Sequence, residues 1–369
     1  CASTPPVRYE TIHNREDRRM SKKKVAVQLP PVAHEAPVSE RYSLELEALD
    51  SVAEIIEVDG SSPGSFIQGA RDADAIITSW GIRIDQQIIS GLENCKIIGV
   101  ASVGVDMVDV DAATEAGIVV TNVPDVFIEE VADHTMSLLL ATARRLKLMD
   151  QMVRDGRWFK GRPVLNEIPR LWGQTLGLVS FGNVARAVAR RAKPFGFHVI
   201  AHDPYISELK MTGEGVEPVS KQELFERSDY LSIHPGLNEG TRGMLNAAAF
   251  DAMKDTACVI NCGRGGTINE KDLIEALKSG KIAAAGLDVL EQEPPEADNP
   301  LFEMDNVMLT PHAASATDRM RPETRRRVGR EVALALSGKW PMSCVNPTVL
   351  PSTDLERWQP YPMERGPNR

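Results

Sequence analysis

Thr175-Leu-Gly-Leu-Val-Ser-Phe-Gly-Asn-Val-Ala185 decides the fold. An apolar strand pattern runs into a glycine turn, and a helical pattern follows at once. Set against G-x-G-x-x-G, the turn reads Ser180-x-Gly182-x-x-Ala185. Gly182 stands where backbone must come close to a pyrophosphate, Ala185 is small enough for helix–strand packing, and Ser180 replaces the first glycine. Asn183 and Val184 open the helix beside the same phosphate position. Asp203 lies 21 residues beyond Gly182, at the end of the next strand pattern. A carboxylate there accepts both ribose hydroxyls of NAD and repels a 2′-phosphate, and its neighbour Pro204 brings no cation for NADP. Asp-Pro is also an ordinary turn pair. Strand, glycine turn, helix and acid in this order favour NAD over that reading.

Outward from this stretch, short apolar strands alternate with helical patterns along the chain. Strands are expected at Lys24–Leu29, Glu54–Asp59, Asp74–Ser79, Lys96–Ala101 and Ile118–Thr121. A second set is expected at Thr175–Ser180, His198–Asp203, Tyr230–His234, Ala257–Asn261, Ile282–Asp288 and Asn306–Thr310. Alternation at this spacing means βαβ units and parallel sheets covered on both faces. One unbroken helical pattern, about Val126 to Val153, contains neither Pro nor Gly and is long enough to brace two domains. The fold class is therefore α/β, with two doubly wound parallel-sheet domains. A substrate domain is expected from 20–124 and 311–350, closed by a helix at about Asp318–Ser337, and a Rossmann domain for NAD from 125–310. Residues 1–19 read as a disordered extension ahead of Met20, and 351–369 as a tail.

Composition narrows the function. Acids outnumber Lys and Arg by 52 to 42, a net charge of −10, which disfavours nucleic acid as a partner. No apolar run reaches the ~20 residues of a membrane helix. The five cysteines are scattered and odd in number, without zinc-ligand spacing, so a cytoplasmic enzyme with no metal is expected.

Ligands of an open α/β sheet bind beyond the carboxyl ends of its strands. Three titratable residues follow three of the expected strands: Arg264 in Cys262-Gly-Arg-Gly-Gly266, Glu293 in Glu291-Gln-Glu-Pro-Pro295, and His312 in Thr310-Pro-His. Arg can grip a substrate carboxylate bidentately, His can pass a proton to an oxo oxygen, and an acid can orient the His. Each alone is as well explained by a turn donor, a helix-start acid or a loop histidine; the joint placement is what points to chemistry. His134 and His234 are rival catalytic candidates: His134, inside the long helix, reads as packed or interfacial instead, and His234, at a strand end, as a neighbour of the dinucleotide. A hydrolase elbow and a Walker loop are both missing.

These motifs resemble the D-isomer-specific 2-hydroxyacid dehydrogenases. The resemblance runs from about Asp74 to Val345 and adds Ser102-Val-Gly-Val-Asp106, Val131-Ala-Asp-His134 and Gly286-Leu-Asp-Val-Leu290 to the stretches above. It implies that Arg264, Glu293 and His312 are the catalytic residues, and that the backbone at Val103 and Gly104 holds the substrate carboxylate. By the same resemblance Trp80 and Ser315 shape the substrate pocket. Asp288, Cys262 and Gly263 orient the nicotinamide carboxamide. Pro235 to Thr241 line the cofactor cleft, with Arg264, His312 and Ala314 also near the cofactor. A D-stereospecific hydride transfer on a small 2-hydroxy or 2-oxo acid is implied, in a homodimer built on the NAD domain.

Within the family, His234-Pro-Gly-Leu-Asn-Glu239, His312-Ala-Ala314 and Ser343-Cys-Val-Asn-Pro347 are most similar to the C-terminal-binding-protein branch and its bacterial dehydrogenase relatives. Ser315 departs from the Trp of the animal corepressors. Ser79-Trp80-Gly81 lacks the arginines expected for phosphoglycerate, and Glu293 stands where formate dehydrogenases carry Gln. The alternative function is an NAD(H)-sensing, corepressor-like interaction protein with little or no catalytic output.

Overall fold

Among the described residues every strand runs parallel to its neighbours, so the carboxyl ends of the strands lie at one end of each sheet. The computed structural model describes residues 22–29, 36–79, 81–159 and 162–357. Trp80, the segment 1–19 and positions 358–369 of the tail lie outside the described residues.

The first sheet holds β1 (Lys23–Gln28), β2 (Ala53–Val58), β3 (Ala75–Thr78), β4 (Ile97–Val100) and β5 (Val119–Thr121). Its order is β2-β1-β3-β4-β5, that of the flavodoxin-like doubly wound sheet. The second holds β6 (Thr175–Val179), β7 (His198–His202), β8 (Glu217–Pro218), β9 (Tyr230–Ile233), β10 (Cys258–Asn261), β11 (Ala284–Leu287) and β12 (Val307–Leu309). Its order is β12-β11-β10-β9-β6-β7-β8, so the chain reverses direction between β6 and β9 and leaves a crevice there. All residues of β3, β4, β5, β9 and β10 are buried, as parallel strands covered on both faces require.

Six strands were expected in the second sheet and seven are present. The addition, β8, is two residues long and ends in Pro218. Proline reads against a strand, but it is tolerated here because β8 is the sheet's edge.

The single helix expected over Val126–Val153 is two helices, Ile128–Ala143 and Leu146–Arg154. The chain breaks at Arg145, which adopts φ 49° and pairs through Nη1 with Glu167 at 2.9 Å. Lys147 Nζ donates to the carbonyls of Met304 and Val307. These contacts are tertiary, so an all-helix-forming sequence gives no local sign of the break. The first of the two helices buries Ala132, Met136, Leu138 and Leu139 with Leu176, Leu178 and Ile260 of the second sheet.

The helix Met320–Leu336 packs on the first sheet. Val328 and Val332 sit over Gly99 of β4, and Gly329 lies against the backbone of Glu45, close enough that any Cβ would collide. Among the described residues no helix is long and apolar enough to cross a membrane.

Candidate active site

The glycine turn after β6 is built around Asp203. Its Oδ2 accepts from Phe181 N at 2.8 Å and Ser180 Oγ at 3.1 Å, and its Oδ1 accepts from Tyr205 N at 2.8 Å. Ser180 has φ 73°, the left-handed conformation for which glycine is the usual residue. Its hydroxyl therefore gains a partner in return for the strain that the side chain imposes. Gly182 caps the helix Asn183–Ala192, and a Cβ added to it would meet nothing within 4 Å, so its backbone faces open space. A helix N-terminus with bare backbone in front of it suits a pyrophosphate. A cavity of about 520 Å³ beyond β7 is lined by His202, Asp203, Pro204 and Tyr205.

A second cavity, about 380 Å³, opens between the two sheets. It brings Val103, Gly104 and Asp106 of the first together with Gly182, Asn183, Val184, His234, Pro235, Cys262, Gly263 and Arg264 of the second. Thr241 Oγ1 donates to the carbonyl of cleft-lining Gly236 at 2.7 Å, inside its own loop. His234 lies 2.9 Å from Ser232 Oγ through Nε2, and burial pushes its pKa down to about 4, so the ring is neutral near pH 7. Burial pushes the Cys262 thiol up to about 12, which leaves it unreactive as a thiolate.

Arg264 is held by its own turn. Buried Asn261 accepts from Gly263 N at 3.0 Å and donates to Arg264 O at 3.1 Å, while Thr267 Oγ1 donates to the same carbonyl at 2.6 Å. The guanidinium crosses to the other sheet: Nε donates to Asp106 Oδ2 at 3.0 Å. It passes over Gly104 so closely that a Cβ there would lie 1.8 Å from Nη2. From sequence alone neither Asp106, in Ser102-Val-Gly-Val-Asp106, nor Asn261, the last residue of the expected strand Ala257–Asn261, is given a role. An acid after a strand end and an asparagine closing an apolar strand were the only signals.

His312 sits on a tight turn after β12, at φ 49°. Its Nδ1 lies 2.7 Å from Glu293 Oε2, and Glu293 Oε1 accepts from Leu290 N at 3.0 Å. Burial raises the Glu293 carboxyl, but the His312 hydrogen bond, the His312 charge and Arg264 outweigh burial and hold it below the usual glutamate value. With Nδ1 engaged, the Nε2 edge of the ring is turned the other way. Asp288 is fully buried behind this turn. Its Oδ1 accepts from Thr310 Oγ1 at 2.6 Å and Ala313 N at 2.8 Å, and its Oδ2 accepts from Ala314 N at 2.9 Å. Ser315 follows on the same loop, half-buried.

The family model described as "D-isomer specific 2-hydroxyacid dehydrogenase, NAD binding domain" matches residues 136–314. A glyoxylate reductase of Korarchaeum cryptofilum is 39% identical over 285 residues, covering 77% of this chain and 86% of that protein. The chain belongs to the D-isomer-specific 2-hydroxyacid dehydrogenases. A D-3-phosphoglycerate dehydrogenase of Methanocaldococcus jannaschii is 38% identical over 321 residues, 86% of this chain. This chain spans 60% of that relative's length. Among solved structures, the NADPH-dependent glyoxylate/hydroxypyruvate reductase of Sinorhizobium meliloti, in complex with NADP and malonate, superposes with a TM-score of 0.75. It is 31% identical and covers 89% of this chain and 98% of its own. The matched span of this chain takes in β6 to β12, and the residues around Gly182 and Asp203 fit the NAD that the family's domain binds.

Proposed function

We propose that this dehydrogenase interconverts a small D-2-hydroxy acid and its 2-oxo acid, with Arg264, Glu293 and His312 as the catalytic residues. The observation that carries this reading is the His312–Glu293 pair at 2.7 Å beyond β12, set beside Arg264 beyond β10. Bound NAD(H) supplies or accepts hydride at the nicotinamide. His312, through Nε2, gives a proton to the C2 oxygen during reduction and takes it back during oxidation. Glu293, an anion through the working pH range, orients the ring through Nδ1. Arg264 holds the substrate carboxylate with its Nη groups while Asp106 fixes its Nε edge.

Asn122 Nδ2 ties back the carbonyl of Val103 at 2.7 Å and Ser102 Oγ that of Gly104 at 2.6 Å. A trans peptide points its N–H opposite its carbonyl, which favours amides facing the cleft for the same carboxylate. Ser315 and Trp80 are assigned to the substrate pocket. Pro204, Pro235, Cys262 and Gly263 are assigned to the cofactor cleft. The Asp203 carboxylate supports NADH over NADPH. Exposed Leu146, Val153, Trp158, Phe159 and Trp172, all between 146 and 172, support a homodimer built on the NAD domain.

NADH oxidation against glyoxylate, hydroxypyruvate, pyruvate, 2-oxobutyrate, phenylpyruvate, 2-oxoisocaproate and 3-phosphohydroxypyruvate, with NADPH in parallel, tests the proposal. Turnover of one or more acids with NADH preferred is expected. NADH binding without turnover of any acid would replace this reading with the NAD(H)-sensing one.

A further inference from the structure

The helix Ile128–Ala143 reaches the His312 turn through side chains that the reaction above does not use. His134 Nε2 lies 2.9 Å from Thr310 Oγ1, and Thr310 Oγ1 donates to Asp288 Oδ1 at 2.6 Å. A hydroxyl has one proton. Asp288 already accepts backbone amides on both of its oxygens, so it is the acceptor at the end of the series. Thr310 commits its proton to Asp288 and can only accept from His134, which fixes hydrogen on His134 Nε2. The direction is therefore set: His134 donates to Thr310, and Thr310 donates to Asp288.

What Asp288 holds is the loop that carries His312. It binds the amides of Ala313 and Ala314, the two residues after His312, and its own carbonyl accepts from His312 N at 2.7 Å. His312 is a non-glycine residue at positive φ, a conformation that persists only when its surroundings determine it. We propose that His134 is a positioning residue: acting through Thr310 and Asp288, it fixes the loop 312–314 and thereby the direction of the His312 ring. His134 touches neither substrate nor cofactor in this assignment. The inference rests on the reading of His312 as the proton carrier.

Four variants test it. His134→Gln keeps an N–H donor in place of the imidazole, His134→Leu removes it, Thr310→Val removes the hydroxyl at constant shape, and the double variant His134→Leu/Thr310→Val removes both. Loss of kcat by about 10- to 100-fold is expected for His134→Leu and Thr310→Val, as a displaced catalytic group produces. KM and the NADH Kd should stay within about twofold of wild type, and the double variant should be no worse than either single one. His134→Gln should recover most of the rate. Equal losses in His134→Leu and His134→Gln, full activity in Thr310→Val, or a weakened NADH Kd in step with kcat would overturn the proposal. If His134→Leu fails to fold, Thr310→Val and His134→Gln decide the matter.

Failure of wild-type turnover would count against the reaction and not against the relay. Long-range 15N–1H spectra of the histidine rings read the relay without turnover. His134 should carry its hydrogen on Nε2, and Thr310→Val should move the His312 ring signals. Hydrogen on His134 Nδ1 alone, or His312 signals unmoved by Thr310→Val, would refute it.

Discussion

The two sheets meet at one cleft and bring different chemistry to it. The first contributes backbone: the loop after β4 presents Val103 and Gly104, its carbonyls tied back by Asn122 and Ser102, and a single acid, Asp106. The second contributes ionisable side chains, each beyond a different strand: Arg264 in the cleft, Glu293 and His312 in another cavity, and Asp203 in a third. A backbone loop can select a substrate by shape and by fixed N–H directions. Proton transfer needs a side chain whose charge can change. In the proposed function the first sheet recognises substrate through backbone, and the second carries the proton chemistry and, through Arg264, shares in recognition, with the Arg264–Asp106 pair as a contact that joins them.

Gly104→Ala attacks the junction itself. The added Cβ would displace Arg264, so kcat/KM should fall about 100-fold with the NADH Kd unchanged, by steady-state kinetics and fluorescence titration. A loss of NADH affinity there would erase the division between the sheets.

Glu293→Gln removes charge and keeps the shape of the His312 partner; a loss of about tenfold in kcat is expected. Glu293 is depressed below its ordinary value in the folded protein, so its contribution to stability is present above pH 4.5 and fades as pH falls below it. Wild type and Glu293→Gln should therefore converge in acid urea melts.

His234 has the opposite charge logic. Its folded pKa of about 4 lies below the ordinary 6.5, so the unfolded chain binds the extra proton between those values and stability rises with pH there. Wild type should lose about 3 kcal/mol from pH 7 to pH 4 through this group, and His234→Asn should lose that part of the slope in urea titrations. The smallest effect is expected from Ser180→Gly. It relieves the positive φ but removes a hydrogen bond to Asp203, so NADH affinity should change by no more than about threefold, and discrimination against NADPH should narrow.

The sequence displayed what is local. The glycine turn, the strand alternation and the three titratable residues at strand ends are each written within a few residues. The break at Arg145 is not, because Ala143-Arg-Arg-Leu146 favours helix and only Glu167 and the Lys147 contacts interrupt it. β8 is too short to show a period and ends in proline. The Asp106–Arg264 contact joins positions 158 apart, and His134–Thr310 joins positions 176 apart. No spacing rule reaches across such distances. Thr241 adds a contact inside its own loop, its hydroxyl donating to Gly236 O.

The division between the sheets stands or falls on His312→Ala, measured as NADH oxidation with each 2-oxo acid that wild type turns over, alongside the NADH Kd. Loss of kcat by about 1,000-fold for every acid alike, with NADH bound as tightly as by wild type, is the expected result. Turnover within about tenfold of wild type, or a loss confined to some acids, would contradict it and return the chemistry to another group in the cleft.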